Sequence, residues 1–201
     1  MDAQLDKQKL FRKAKKSCKI IRESLERFGK DKIAVSWSGN FESILLLHLI
    51  KEEYGDIPLP VVHFDSSLKY EAFHVVRDKI VRDWNLNLVV ELMEINEITG
   101  SEGEDHKRSQ VMDRYGWQAL IIPVITEELS AEPADNKFTK FDNPAHVAVA
   151  PILHFKTTDI QNCMEMYGMQ DSAPHDRDSS DPEDPDQEEE VKRRLRDLGY
   201  L

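Results

Sequence analysis

Five β-type apolar runs alternate with helical runs along this chain, and that alternation restricts the fold more than any other feature. "KIAVSW", "LPVVHF", "LNLVVELM", "QALIIPV" and "HVAVAPI" are the runs. Between or after them stand "FESILLLHLIKEEY", "LKYEAFHVVRDKIVRDW", "HKRSQVMDRYGW" and "TTDIQNCMEMYG", each with helical periodicity or helix-type composition. Strands that alternate with helices imply an α/β fold: a mostly parallel five-stranded sheet with helices on both faces and right-handed crossovers. The second helix is expected to carry Phe73, Val76, Ile80 and Trp84 on one face. Thr157 or Thr158 is expected to cap the last helix.

Three segments follow from the pattern. Residues 1–30 read as an amphipathic helix packing on the body through Phe11, Ala14, Cys18, Ile21, Leu25 and Phe28, with Lys and Arg on its other faces. Residues 31–168 form the α/β domain. Residues 169–201 are polar, Pro-containing and acidic, an extended or disordered tail dispensable for the fold, with a short terminal helix in "EEEVKRRLRDLGYL". Charge follows the same division. "QDSAPHDRDSSDPEDPDQEEE" has ten acids and one Arg, so it holds nine of the eleven net negative charges. The rest of the chain is nearly neutral in sum, which argues against non-specific nucleic-acid binding. The two cysteines, Cys18 and Cys163, are too few for a Cys-only zinc or iron–sulfur site and suit a reducing compartment. No apolar run reaches membrane-spanning length, so a cytoplasmic protein is expected.

The turn "SWSGNFES" after the first strand is the candidate site, because ligands of open α/β sheets gather at the carboxyl ends of the strands. A helix start presents free amides and a positive dipole end to an anion. Gly39 permits close backbone approach, while Ser36, Ser38, Ser43 and Asn40 supply side-chain donors. Two readings of the turn stand side by side. It is an anion cradle, or it is a strand-to-helix turn capped by Asn40 or Ser38. The Gly-x-x-x-x-Gly-Lys-Ser/Thr phosphate loop is absent. His48 reads as a core histidine, and no two histidines have metal-ligand helical spacing.

"IAVSWSGNFESILLLHLI" resembles the PP-loop of the phosphoadenosine-phosphosulfate (PAPS) reductase family, which includes the ATP-binding small subunit of sulfate adenylyltransferase. The motif there is Ser-Gly-Gly-Lys-Asp-Ser ahead of an apolar Leu-Leu-His-Leu helix. Ser38, Gly39, Asn40, Phe41, Glu42 and Ser43 take its six places. Asp65-Ser66-Ser67 resembles the family's Asp-Thr-Gly turn, and Val76-Arg77-Asp78 its Phe-Arg-Asp. "RYGWQALIIPVITEELSAE" is similar to its Tyr-Gly-Phe-Asp-Ala strand and Gly-x-Arg-Arg-x-Glu segment, and "VAPILHFKTTDIQNCMEMYGM" to its Pro-Leu-x-x-Trp-Thr-x-x-Asp-Ile-Trp. The resemblance covers most of residues 30–168 and implies an adenine nucleotide α-hydrolase-like, Rossmann-like fold.

It also implies a nucleotide site. Ser36, Ser38, Gly39, Asn40, Glu42 and Ser43 would meet the phosphates, Glu42 would hold magnesium, and His63, Asp65 and Ser66 would stand near the adenine end. ATP and magnesium are the cofactors implied; neither an iron–sulfur cluster nor a flavin is expected. Phe41 takes the place of the PP-loop Lys, and Ile125 and Thr126 take the places of the paired arginines, with Pro123 in place of Gly. Lys69, Arg77, Lys107, Arg108 and Lys156 are the candidate substitutes for the lost cations. The family's reductases use a Cys in a C-terminal Glu-Cys-Gly-x-His segment, and this tail has none, so thiol-dependent reduction is not expected. Besides altered chemistry on an unrecognised substrate, two functions remain. One is ATP binding with adenylyl-transfer or ATP pyrophosphatase chemistry in sulfur metabolism. The other is a non-catalytic relative acting as a regulatory or interaction subunit, with a protein partner or a second copy of itself.

Overall fold

A computed structural model describes residues 2–65, 71–93, 101–125, 138–142 and 145–169. The strands are β1 (Ile33–Ser36), β2 (Val61–Asp65), β3 (Leu88–Leu92), β4 (Ala119–Ile121), β5 (Phe138–Asp142) and β6 (Ala145–Val149). The α-helices are α1 (Asp2–Phe28), α2 (Phe41–Tyr54), α3 (Glu71–Asp83), α4 (Ser101–Tyr115) and α5 (Thr157–Met166). A 3₁₀ turn, Lys30–Lys32, leads from α1 into β1.

The sheet order is β3-β2-β1-β4-β6-β5. The first five strands in that order pair in parallel, and β5 is antiparallel to β6 at the edge. The sheet therefore has one strand more than the five expected. Phe138–Asp142 is a short run with Thr139 and Lys140 between its two phenylalanines, and an edge position accepts that polarity. The Asn143-Pro144 pair between it and β6 is the sequence signal that could have marked the hairpin.

Alternation along each strand divides the core in two. Ile33 and Val35 of β1, Ala119 and Ile121 of β4, and Val147 and Val149 of β6 face the larger cluster, with α1, α2, α3 and α5. Ala34, Val62 and Leu120 face the smaller one, against Val111 and Met112 of α4 and Trp117. Helices thus cover both faces, as a parallel sheet requires. Helix α2 is buried on nearly every side from Ser43 to Ile50, because the sheet lies on one side and α1 and α5 on others. Its three consecutive leucines, Leu45, Leu46 and Leu47, are fully buried, each contributing about 1.5–3 kcal/mol by transfer from water. Gly55, at φ 81°, ends the helix by donating its N–H to Lys51 O at 2.7 Å.

Helix α1 packs through a face rotated from the one expected. Leu10, Ala14, Ser17, Ile21 and Ser24 are buried, Cys18, Leu25 and Phe28 are partly buried against the core, and Phe11 is 51% exposed. Two serines occupy this buried face because their hydroxyls are satisfied. Ser17 Oγ donates to Pro151 O at 2.9 Å, and Ser24 Oγ to Ile21 O at 2.6 Å. The small side chains also let α1 lie close to the segment before α5. At α5 the cap position is Lys156, not Thr157 or Thr158. Its N–H is accepted by Asp159 Oδ2 at 2.8 Å, and Asp159 also pairs with Lys13 Nζ at 2.5 Å. Val76 and Ile80 of α3 and Trp84 just after it face the core as expected, while the side chain of Phe73 lies outside the described residues, as do residues 170–201.

Candidate functional site

The chain runs outward from β1 to β2 and β3, then returns to the far side of β1 as β4. The carboxyl ends of β1 and β4 are therefore the topological switch point, where an open α/β sheet leaves a crevice between loops that diverge. The turn after β1, Trp37–Asn40, opens directly into α2 there.

The turn is held from beneath. Trp37 is buried, and its N–H donates to Val62 O at 2.9 Å, which extends the β1–β2 ladder by one residue. His63 Nδ1 lies 2.9 Å from Trp37 O, and the two rings stand 5.7 Å apart between centroids. With its ring fully buried, His63 serves the turn as a support below it. Trp37 is a site residue that sequence reasoning misses, since a bulky residue between two serines gives no sign that it points inward.

Above this floor the turn closes on itself. Gly39 takes φ 88°, a conformation that disfavours any side chain. Asn40 is the N-cap of α2: its Oδ1 accepts from Ser43 N at 3.0 Å and from Ser38 Oγ at 2.7 Å. Ser43 is completely buried, with Oγ accepting from Gly39 N at 3.0 Å and donating to Asn40 O at 2.9 Å. Ser38, Gly39, Asn40 and Ser43 are thus brought together in one hydrogen-bonded unit. Two backbone amides of the turn, those of Gly39 and Ser43, are engaged within it. The remaining first-turn amides of α2 begin at Phe41 and have no intrahelical acceptor. Ser43→Ala is expected to lower stability by about 1–3 kcal/mol, because it strands the buried Gly39 N–H. Denaturant unfolding reads this directly, and an unchanged midpoint would mean that the hydroxyl is not needed to close the turn.

The other expected site residues stand around this unit. Ser36 is half-buried at the end of β1, and Glu42 is half-buried in the first turn of α2. Asp65, buried at the end of β2, lies 3.7 Å from the Arg77 guanidinium of α3. Arg77 also meets Asp78 at 2.8 Å, so its charge is shared between two carboxylates. Ser66 and Lys69 lie outside the described residues, as does Thr126. Phe41 is half-buried with its ring against the larger core cluster, and Ile125 is 2% exposed. Two of the three places where the resemblance expects a cation are therefore filled by apolar side chains turned into the core. Lys107 and Arg108 are half-buried on α4, and Lys156 caps α5.

Magnesium binds through one or two carboxylates and the phosphates of its nucleotide rather than through an all-protein cage. Glu42 beside the turn fits that requirement. Among the described residues no group of three or more His, Cys, Asp and Glu could hold a metal by itself. Burial pushes the Cys18 and Cys163 thiols each up to about 11, so both are protonated at neutral pH and unsuited to nucleophilic work. Burial also lowers the pKa of His48, whose ring lies 4.3 Å from that of Tyr167 in the packing between α2 and the end of α5. Glu91, buried on β3, is held by Arg114 of α4, one guanidinium nitrogen lying 2.9 and 3.0 Å from its two oxygens. Nothing in the sequence pattern marks either residue of this pair.

A family model described as the phosphoadenosine phosphosulfate reductase domain matches residues 32–176, which include the switch-point turn. The chain belongs to this family. Among curated members of similar sequence, the sulfate adenylyltransferase subunit 2 of Zymomonas mobilis is 28% identical over 120 residues, 51% of this chain and 38% of that protein. The subunit 2 of Pseudomonas putida strain F1 is 29% identical over 119 residues, 52% of this chain and again 38% of its own length. The match thus spans well under half of these relatives.

Solved structures agree on the PAPS reductase family fold. The PAPS reductase of Candida auris, in a phosphate complex, superposes with a TM-score of 0.58 at 9% identity, over 79% of this chain and 80% of that one. The FMN adenylyltransferase of Candida glabrata gives 0.59 at 18%, over 76% and 54%. The NH3-dependent NAD synthetase of Campylobacter jejuni gives 0.57 at 14%, over 81% and 75%. At these identities the likeness is one of fold, and the adenine nucleotide α-hydrolase-like architecture expected from the sequence is the one found. No helix among the described residues is long and apolar enough to cross a membrane.

Proposed function

We propose that this PAPS reductase family protein binds an adenine nucleotide, ATP with magnesium, at the carboxyl ends of β1 and β4. The observation that carries the reading is the Gly39–Asn40 turn at the switch point, opening straight into the amide-bearing start of α2. The phosphates would lie at that helix start, near Ser36, Ser38 and the turn. Glu42 would share the magnesium with them, and the end of β2, with Asp65 above the buried His63, would lie toward the base. Bound magnesium supplies charge neutralisation on the phosphates; the chain supplies orientation through the turn and the α2 dipole. The chemistry such a site would serve is cleavage between the α and β phosphates with transfer of the adenylyl group, as the names of the sulfate adenylyltransferase relatives suggest.

A second reading is supported by a specific observation. Phe41 and Ile125 put apolar, core-facing side chains where the resemblance expects cations, which suits a nucleotide-binding regulatory or interaction subunit better than a fast enzyme. Both readings share the binding step. Backbone amide resonances of Gly39, Asn40, Phe41 and Glu42 are expected to shift on titration with magnesium ATP, and less with adenosine. Shifts confined to residues far from the turn would overturn the placement of the site.

A further inference from the structure

Strand β3 closes one end of the sheet and pairs with β2 alone. Asn87 O accepts from Val61 N at 2.9 Å, and Met93 N donates to Asp65 O at 2.8 Å, so the odd-numbered residues of the strand turn their backbone groups toward β2. The N–H and C=O of Leu88, Val90 and Leu92 therefore point the other way, out of the sheet. Among the described residues none hydrogen-bonds to them. The side chains of these three stand on the face of the larger cluster, where Leu88 packs against the core. Val90 is 42% exposed and Leu92 64%. An exposed apolar edge is a template for another strand, and proteins ordinarily guard such an edge with Lys, Pro or a bulge.

The opposite edge is guarded. Strand β5 reads Phe-Thr-Lys-Phe-Asp, with Lys140 at its centre. Two copies of it laid antiparallel about that centre would set lysine against lysine, and like charges directly opposite destabilise a strand pair. Strand β3 reads Leu-Val-Val-Glu-Leu. Laid antiparallel about Val90, two copies set Val90 against Val90 and Leu88 against Leu92 on one face. These are the residues whose backbone groups point outward, so in this register each N–H meets a C=O. On the other face Glu91 falls opposite Val89 of the second copy, not opposite another acid. The two acids lie diagonally, about 7–8 Å apart. Each arrives with the Arg114 guanidinium of its own copy, so the one charge on the strand is no barrier. Strand β3 is complementary to itself in hydrogen bonding, in apolar contact and in charge.

We propose that the edge of β3 is a dimerisation surface, taken by the β3 edge of a second copy of this chain in antiparallel pairing about Val90. The two sheets then run on as one. Strand β2 stands between β3 and the switch point of β1 and β4, so the pairing leaves the turn at each nucleotide site uncovered. A single strand pair is a small interface, below the total of about 1,200 Å² that stable complexes bury, so the dimer is expected to be weak, with a Kd on the order of 10⁻⁵–10⁻⁴ M.

Sedimentation equilibrium of the full chain tests the association, and single cysteines test its register. The wild-type chain is expected to pass from monomer to dimer between about 1 μM and about 300 μM. Val90→Lys, which sets lysine against lysine at the axis, is expected to raise the dimer Kd more than about tenfold with the denaturant midpoint near that of wild type. Val90→Cys is expected to give a disulfide-linked dimer on mild oxidation, because hydrogen-bonded partners stand about 5.5 Å apart between Cα atoms, within the span of a disulfide. Leu92→Cys, at the more exposed position, is expected to give at least about tenfold less, since it and its counterpart are offset along the strands by roughly 13 Å. Cys18 and Cys163 do not compete, their thiols being protonated at neutral pH. The cysteine comparison decides by itself should the lysine variant unfold. A wild-type chain still monomeric at about 300 μM would overturn the proposal. A dimer indifferent to Val90→Lys would overturn it too, by placing the contact on another surface, as would Leu92→Cys cross-linking as readily as Val90→Cys.

Discussion

Purified protein given ATP, magnesium, sulfate and labelled pyrophosphate is expected to exchange label into ATP no faster than a blank. Adenylyl transfer places negative charge on the phosphorus centre and the departing pyrophosphate, and cations fixed in advance at those oxygens are what lower the barrier. Removing one preorganised donor costs about 3–4 kcal/mol, or roughly 100–1000-fold in rate. Phe41 and Ile125 remove two, and both side chains are turned into the core, so no rotamer change brings charge to the site. A deficit of at least about 10⁴-fold follows from those two alone. Arg77, the candidate substitute with described contacts at the end of β2, already divides its charge between Asp65 and Asp78. Robust exchange by the isolated chain would mean that another cation reaches the turn, and would favour the adenylyl-transfer reading over the non-catalytic one.

The second large effect concerns Phe41. Its ring packs against the larger core cluster while its backbone is the first helical residue after the Asn40 cap. Phe41→Ala is expected to cost about 1–3 kcal/mol, below the figure of about 3–5 kcal/mol for a fully buried Phe, because the ring is only half-buried. It should leave nucleotide affinity nearly unchanged. Phe41→Lys should lose similar packing, softened by the lysine stem lying along the apolar surface. It should also tighten pyrophosphate or ATP by about 10–150-fold, since a charge-assisted contact is worth roughly 1.5–3 kcal/mol. Calorimetry and denaturant unfolding on the two variants separate these terms. If Phe41→Ala alone raised affinity as much as Phe41→Lys, the ring would be a plug over the pocket rather than part of the core.

The sheet is legible in the sequence because its physics is local. Continuous apolar runs such as "KIAVSW" in a parallel sheet must be buried on both faces, and five of the six strands announce themselves that way. The sixth, Phe138–Asp142, does not: an edge strand may be half polar, and its composition then resembles a loop. The face of α1 is misread at Phe11 for a related reason. Apolar periodicity locates a stripe only when polar residues stay outside it. Here Ser17 and Ser24 lie inside, their hydroxyls satisfied by carbonyls that no single-sequence pattern reveals.

At the site, the sequence indicates where the turn stands and which residues it gathers, but not its internal bonding. That Ser43 Oγ takes the Gly39 amide, and Asn40 Oδ1 the Ser43 amide, depends on rotamers at adjacent positions. Of the two readings the sequence leaves open, the capped turn is the one observed, with Asn40 at the cap, and the anion cradle belongs to the proposed function. The cap satisfies the Ser43 amide, one of the first-turn donors that a helix start leaves without an intrahelical acceptor.

The central claim is that this helix start binds a phosphate chain without a side-chain cation. Isothermal titration of the wild-type chain with ATP, with and without magnesium, tests it most directly. The account predicts saturable one-site binding with a Kd of about 10⁻⁴–10⁻³ M, roughly −4 to −5.5 kcal/mol, strengthened by magnesium. Heat that stays linear up to about 10 mM ATP, meaning less than about 2.7 kcal/mol of binding, would contradict it.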